Sequence, residues 1–200
     1  FGDVELERHD GLLDGEVSEG VEADRLPAVG SADGHHAPMG VGELDLAYGA
    51  FQRGHYVTAF SIATQRADEQ KDVKAMTLLG ELYANGLGVE RDDKKAAEWY
   101  GLAVERGDRE AMFALAMLQL AGRTGSGNRE QGAKLLAAAA KLGHAVAAYD
   151  LALLYIEGQM FPQDFSRAAE LFRSAAQVGL PEAQYALATL YKEGRGVDKD

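Results

Sequence analysis

Four groups of residues in this chain have types and spacings that could do chemistry. The run GRTGSGNR reproduces the G-x-x-x-x-G frame of a phosphate-binding loop between Gly122 and Gly127. Such a loop needs a lysine on the phosphates and a hydroxyl on magnesium, and Asn128 and Arg129 stand in their places. The run also follows a helical pattern rather than a strand, so it reads as an interhelical loop whose glycines adopt left-handed backbone. Asp92 and Asp93 could serve as paired carboxylates, but the position of Asp92 recurs as Asn128 and Asp164. A catalytic carboxylate is not required once per repeat, whereas a helix cap is. His35 and His36 beside Asp33 could catch a metal ion without forming a defined site. His55 and His144 have no Ser or Asp at catalytic spacing and read as exposed or capping side chains. The sequence therefore assigns no catalytic residue, no cofactor and no metal site.

The elements that position these residues announce themselves by period. The pattern A-x-x-x-L-[GA]-x-L starts at Ala75, Ala111, Ala147 and Ala183, a repeat of 36 residues without drift. A fixed period in this range means stacked supersecondary units rather than a closed globule around one pocket. In each full repeat, helix A is expected to run to Gly86, Gly122 or Gly158, each suited to a left-handed helix end. A short loop then leads to Asp92, Asn128 or Asp164, expected to cap helix B by accepting backbone N–H bonds. Helix B is expected to stop at Gly107, Gly143 and Gly179. Small residues such as Ala75, Ala96 and Ala103 let the two helices approach, with Leu79, Leu82, Tyr83, Trp99 and Tyr100 filling the layer between them.

Charge and composition narrow the function classes. Residues 1–43 hold eleven acids against Arg8 and Arg25, so most of the formal net charge of −12 belongs to them. The repeat body is nearly balanced, and a surface without clustered Lys and Arg does not suit nucleic acid. The chain has no cysteine, which removes disulfides, cysteine-ligated zinc and thiol catalysis. Its longest apolar stretches, such as AMFALAML, are far shorter than a membrane span requires. The chain begins on Phe1, without Met or a leader, and ends on Asp200, the capping position of an absent helix B. The natural protein is accordingly expected to continue at both ends.

The stretches LLGELYANGLGVERDDKKAAEWYGLAVERG and ALATLYKEGRGVDKD resemble Sel-1-like repeats, relatives of tetratricopeptide repeats. Gly86, Gly88, Val89, Asp92, Trp99, Tyr100 and Gly107 carry the match in the first full repeat. The second departs from it, with Gln119 in place of Tyr and GRTGSGN in place of GLGVERD, and the third has QMFPQD in its loop. The resemblance implies an all-α fold, a right-handed α/α superhelical solenoid of antiparallel helix pairs that acts as an adaptor or scaffold. It also implies that bacterial members are often exported to the envelope, and periplasmic localisation is favoured on that basis. Some secreted members with disulfides are associated with β-lactam hydrolysis; this chain has neither cysteine nor a Ser-x-x-Lys motif. The domain organisation expected is a disordered acidic linker or leader over 1–42, a tetratricopeptide-like capping repeat over 43–71, repeats over 72–107, 108–143 and 144–179, and half a repeat over 180–200.

In superhelices of this type helix A lines the concave face. The inward positions are expected to be Lys74, Thr77, Glu81 and Asn85, then Glu110, Phe113, Met117 and Leu120. Val146, Tyr149, Leu153 and Ile156 follow, then Glu182, Tyr185, Thr189 and Lys192. The middle two sets are apolar and partly aromatic, and a contiguous apolar patch commonly marks a recognition site. Phe113, Met117, Leu120, Tyr149, Leu153, Ile156 and Tyr185 are therefore the candidate contacts for a protein or extended peptide partner. The alternatives are burial of these side chains by superhelical packing, a hydrolase acting on a cell-envelope polymer, and a spacer whose contacts lie in further repeats.

Overall fold

Each signature alanine sits in the first turns of a helix that buries one stripe. The computed structural model describes residues 44–125 and 128–198, so the acidic segment 1–42 lies outside the described residues, as do Glu43, Ser126, Gly127, Lys199 and Asp200. Among the described residues there are nine α-helices and no strand. They are α1 (Leu44–Gln52), α2 (Tyr56–Gln70), α3 (Val73–Asn85), α4 (Asp93–Val104), α5 (Arg109–Leu120), α6 (Arg129–Lys141), α7 (Ala145–Glu157), α8 (Phe165–Gln177) and α9 (Pro181–Glu193). Odd-numbered helices are the A helices and even-numbered ones the B helices of an all-α solenoid, each packed on its neighbours in sequence. Ala75, Ala111, Ala147 and Ala183 are all buried, together with Leu79 and Leu82.

The seam within a repeat is built on matched sizes. A Cβ added to Gly80 on α3 would stand 2.5 Å from the ring of Tyr100 on α4. One period later the same two positions hold Ala116 and Leu136, and one period after that Ala152 and Phe172; all four are fully buried. The loop glycines have a different reason. Gly88 has φ +71°, and a Cβ there would lie 2.6 Å from the backbone of Tyr56, at the start of the preceding B helix. Gly196 presses on Phe165 and Ser166 in the same way. These loops thus dock one repeat on the last.

The caps agree with expectation at two of three B helices. Asp92 accepts the backbone N–H of Lys94 and Lys95, both at 3.0 Å, and Asp164 accepts that of Arg167 at 2.9 Å. Asn128 departs: it precedes α6 but makes no side-chain cap. Its backbone is at φ −100°, ψ 1°, whereas Asp92 and Asp164 are extended, with φ −145° and −146°. A side chain caps from the extended geometry; the Asn128 amide instead donates to Thr124, which occupies the Gly88 position. In the same repeat α5 ends at Leu120 with a right-handed cap on Ala121, and the left-handed Gly122 follows one residue later. The B helices end two or three residues before Gly107, Gly143 and Gly179, which keep positive φ. The third loop, despite its divergent sequence, closes like the first: the Asp164 N–H donates to the Tyr155 carbonyl at 3.1 Å, as Asp92 does to Tyr83 at 3.0 Å.

Candidate binding face

Of the candidate contacts, Met117 and Tyr185 are exposed, at 41% and 79%, and Val146 in the first turn of α7 is exposed at 39%. The aromatic rings of the middle repeats are half-buried instead. Phe113 stacks on His144 with centroids 4.4 Å apart, and Tyr149 tilts against the buried Phe172 at 5.4 Å. Leu153 is also half-buried and packed on the core. Leu120 and Ile156 stand on a different row. The residue in register with them in the first repeat is the buried Ala84, not the exposed Asn85. Leu120 reaches toward its own B helix, its Cγ being 3.2 Å from where a Cβ of Gly132 would stand. The exposed large apolar side chains of α3, α5, α7 and α9 therefore reduce to Met117, Val146 and Tyr185, and α1 adds Leu46 and Tyr48. In the flanking repeats Lys74, Glu182 and Lys192 are exposed, while Thr77, Glu81 and Thr189 are half-buried.

Along one edge of this face a ladder joins successive repeats. Asp108 caps α5 by accepting the N–H of Glu110 at 2.8 Å and of Ala111 at 3.0 Å, and its other oxygen takes the Lys74 ammonium at 2.7 Å. One repeat on, His144 Nδ1 accepts the Ala147 N–H at 3.1 Å. That bond leaves the ring proton on Nε2, which lies 3.0 Å from Glu110 Oε2. The partners differ between the two steps: a lysine ammonium meets an acidic cap first, and a carboxylate meets a histidine cap second. At the third step the corresponding residues are Val146 and Leu180, neither charged. The capping reading of His144 holds, and its side chain is buried rather than exposed. Asp72 caps α3 as Asp108 caps α5, each three residues before the signature alanine, a position for which the alanine pattern itself specifies no residue type.

The pattern also gave no sign of a cavity. An open hollow of about 620 Å³ lies at the first repeats, bounded by Tyr48 of α1, Arg66 of α2, Lys74, Leu78 and Glu81 of α3, and Glu110 of α5. Lys74, Glu81 and Glu110 are expected on the inward face from the sequence, and the packing of α1 and α2 against α3 makes them walls of a hollow. Arg66 pairs with Asp72 at 2.8 Å. Burial raises the Glu81 carboxyl above its ordinary value. Burial also raises Asp150 on α7, against the opposing pull of His144. Among the described residues no group of three or more His, Asp or Glu is placed to hold a metal ion. No described helix is long and apolar enough to cross a membrane.

The Sel1 repeat profile matches residues 73–108, 109–144, 145–180 and 181–200. A Sel1 repeat protein from Oxalobacter formigenes superposes with a TM-score of 0.70 at 31% identity, over 77% of this chain and 63% of that one. A protective antigen present in uropathogenic Escherichia coli strains, displaying an SLR fold, superposes with a TM-score of 0.70 at 28% identity, over 78% of this chain and 34% of that one. The chain thus spans less than two thirds of the length of either. No curated protein matches.

Proposed function

Because the chain belongs to the Sel1 repeat family, whose repeats generally mediate protein interactions, we propose that it is a non-enzymatic scaffold that binds an extended peptide or protein segment along its helix-A face. The observation that carries this reading is the exposure of Met117, Val146 and Tyr185 on successive A helices. Apolar side chains left in water on α5, α7 and α9 offer an extended chain a contact on each of three successive repeats. The half-buried Phe113, Tyr149 and Leu153 of the same repeats pack against the core.

The test is a Met117→Glu, Tyr185→Ala double variant in a pull-down from the native organism. Both side chains are exposed, so the variant is expected to keep its helical content and melting temperature while losing a partner that the unaltered chain captures. A folded variant that retains every partner refutes the helix-A reading.

A further inference from the structure

The hollow between α1, α2, α3 and α5 has an unbalanced charge inventory. Its two bases are already engaged: Arg66 with Asp72 at 2.8 Å, and Lys74 with Asp108 at 2.7 Å. Both of those carboxylates are also helix caps, so the pairs are tied to the backbone. Two acids remain on the walls. Glu110 faces His144, whose Nε2 proton it accepts. The Glu81 carboxylate has no hydrogen-bond or ion-pair partner among the described residues, although it is half-buried. A desolvated carboxylate without a counter-charge is unfavourable, and an incoming cation relieves it. Leu78 supplies an apolar wall of the hollow, and Tyr48, half exposed, also lines it. An aliphatic stem ending in a cation matches that combination of apolar wall, aromatic face and unpaired acid.

We propose that this hollow anchors one basic side chain, arginine or lysine, of the peptide that lies along the helix-A face, with Glu81 as its counter-charge and Tyr48 and Leu78 against its stem. This rests on the reading of the face given above and adds a chemical requirement on the partner: a basic residue at a set distance from the apolar residues that meet Met117. Charge argues against an occupant from residues 1–43, which carry eleven acids and two bases.

Random short peptides displayed on phage would be selected on the full chain, and a synthetic peptide from the winning pool titrated against Glu81→Gln and, separately, Met117→Glu. The selected sequences are expected to share an Arg or Lys at fixed spacing from an apolar or aromatic residue. Glu81→Gln should weaken the peptide about tenfold or more, the loss typical of truncating one partner of a partly desolvated charge pair. Norleucine in place of the basic residue should weaken binding to the unaltered chain similarly and cost nothing further on Glu81→Gln. A pool without a shared basic residue, or a norleucine effect of equal size on both proteins, overturns the anchor. A loss on Met117→Glu alone keeps the face and removes the anchor, and a loss on Glu81→Gln alone does the reverse. Selection of no peptide at all counts against both, and a Glu81-dependent dimer would assign the hollow to a second copy and overturn the proposal.

Discussion

Gly80→Ala isolates the size matching that sets the A–B seam. Alanine in a helix interior is ordinarily worth about 1 kcal/mol over glycine. Here its methyl would enter the Tyr100 ring, with 2.5 and 2.6 Å to two ring carbons. The ring is buried and cannot swing into water. Overpacking of this kind costs roughly 1–3 kcal/mol. The two effects oppose, and the expected result is a net loss of about 1 kcal/mol, or about 2–4 °C in melting temperature. Tyr100→Leu alone should cost on the order of 2 kcal/mol through the void it leaves. In that background Gly80→Ala should become stabilising, because Ala with Leu is the pairing that Ala116 and Leu136 already make with full burial. The coupling, read from a double-mutant cycle, is then about 2 kcal/mol in favour of the double variant. Circular-dichroism melting is the assay, with coincident transitions at several wavelengths required of all four proteins so that the cycle compares one cooperative step. A Gly80→Ala effect of the same sign and size in both backgrounds refutes the size-matching argument.

Lys71 holds φ +55° at the position of Gly107, Gly143 and Gly179; relieving a left-handed side chain there, Lys71→Gly should raise stability by about 1 kcal/mol, seen as a higher melting temperature. Asp93 is pulled down to about 2 by hydrogen bonds from Arg123 first and Arg91 second. Its contribution is therefore full above the ordinary carboxylate value and lost as pH falls from about 4 toward 2. Arg123→Ala should lower the melting temperature at pH 7, with the gap to the unaltered chain narrowing across that acid window. Part of the gap should persist at low pH, because Arg123 also donates to the Ala84 carbonyl at 2.8 Å. A gap that does not change with pH contradicts the Asp93 assignment.

The architecture was legible because every level of the sequence points the same way. The alanine period, the acidic caps at Asp92 and Asp164 and the loop glycines all recur together. What was not legible depends on geometry that identical spacing conceals. Asn128 occupies a capping position, but Thr124 stands where Gly88 and Gly196 do, and the backbone before α6 takes a shape from which the side chain cannot cap. Leu120 and Ile156 are expected on the inward face beside Asn85, but the period sets them level with the buried Ala84. The pairs Lys74–Asp108 and Glu110–His144 join residues 34 apart, visible only once adjacent repeats are stacked. The hollow at Glu81 required α1 and α2, whose pattern departs most from the period.

The most direct test of the helix-A reading is site-specific photo-crosslinking in the native cell. Benzoylphenylalanine would replace Met117 or Tyr185 on the A helices and, as controls, the exposed Glu98 or Glu170 on the B helices. The account expects a discrete partner adduct from Met117 and Tyr185 and none from Glu98 or Glu170. Adducts confined to the B-helix positions would contradict it.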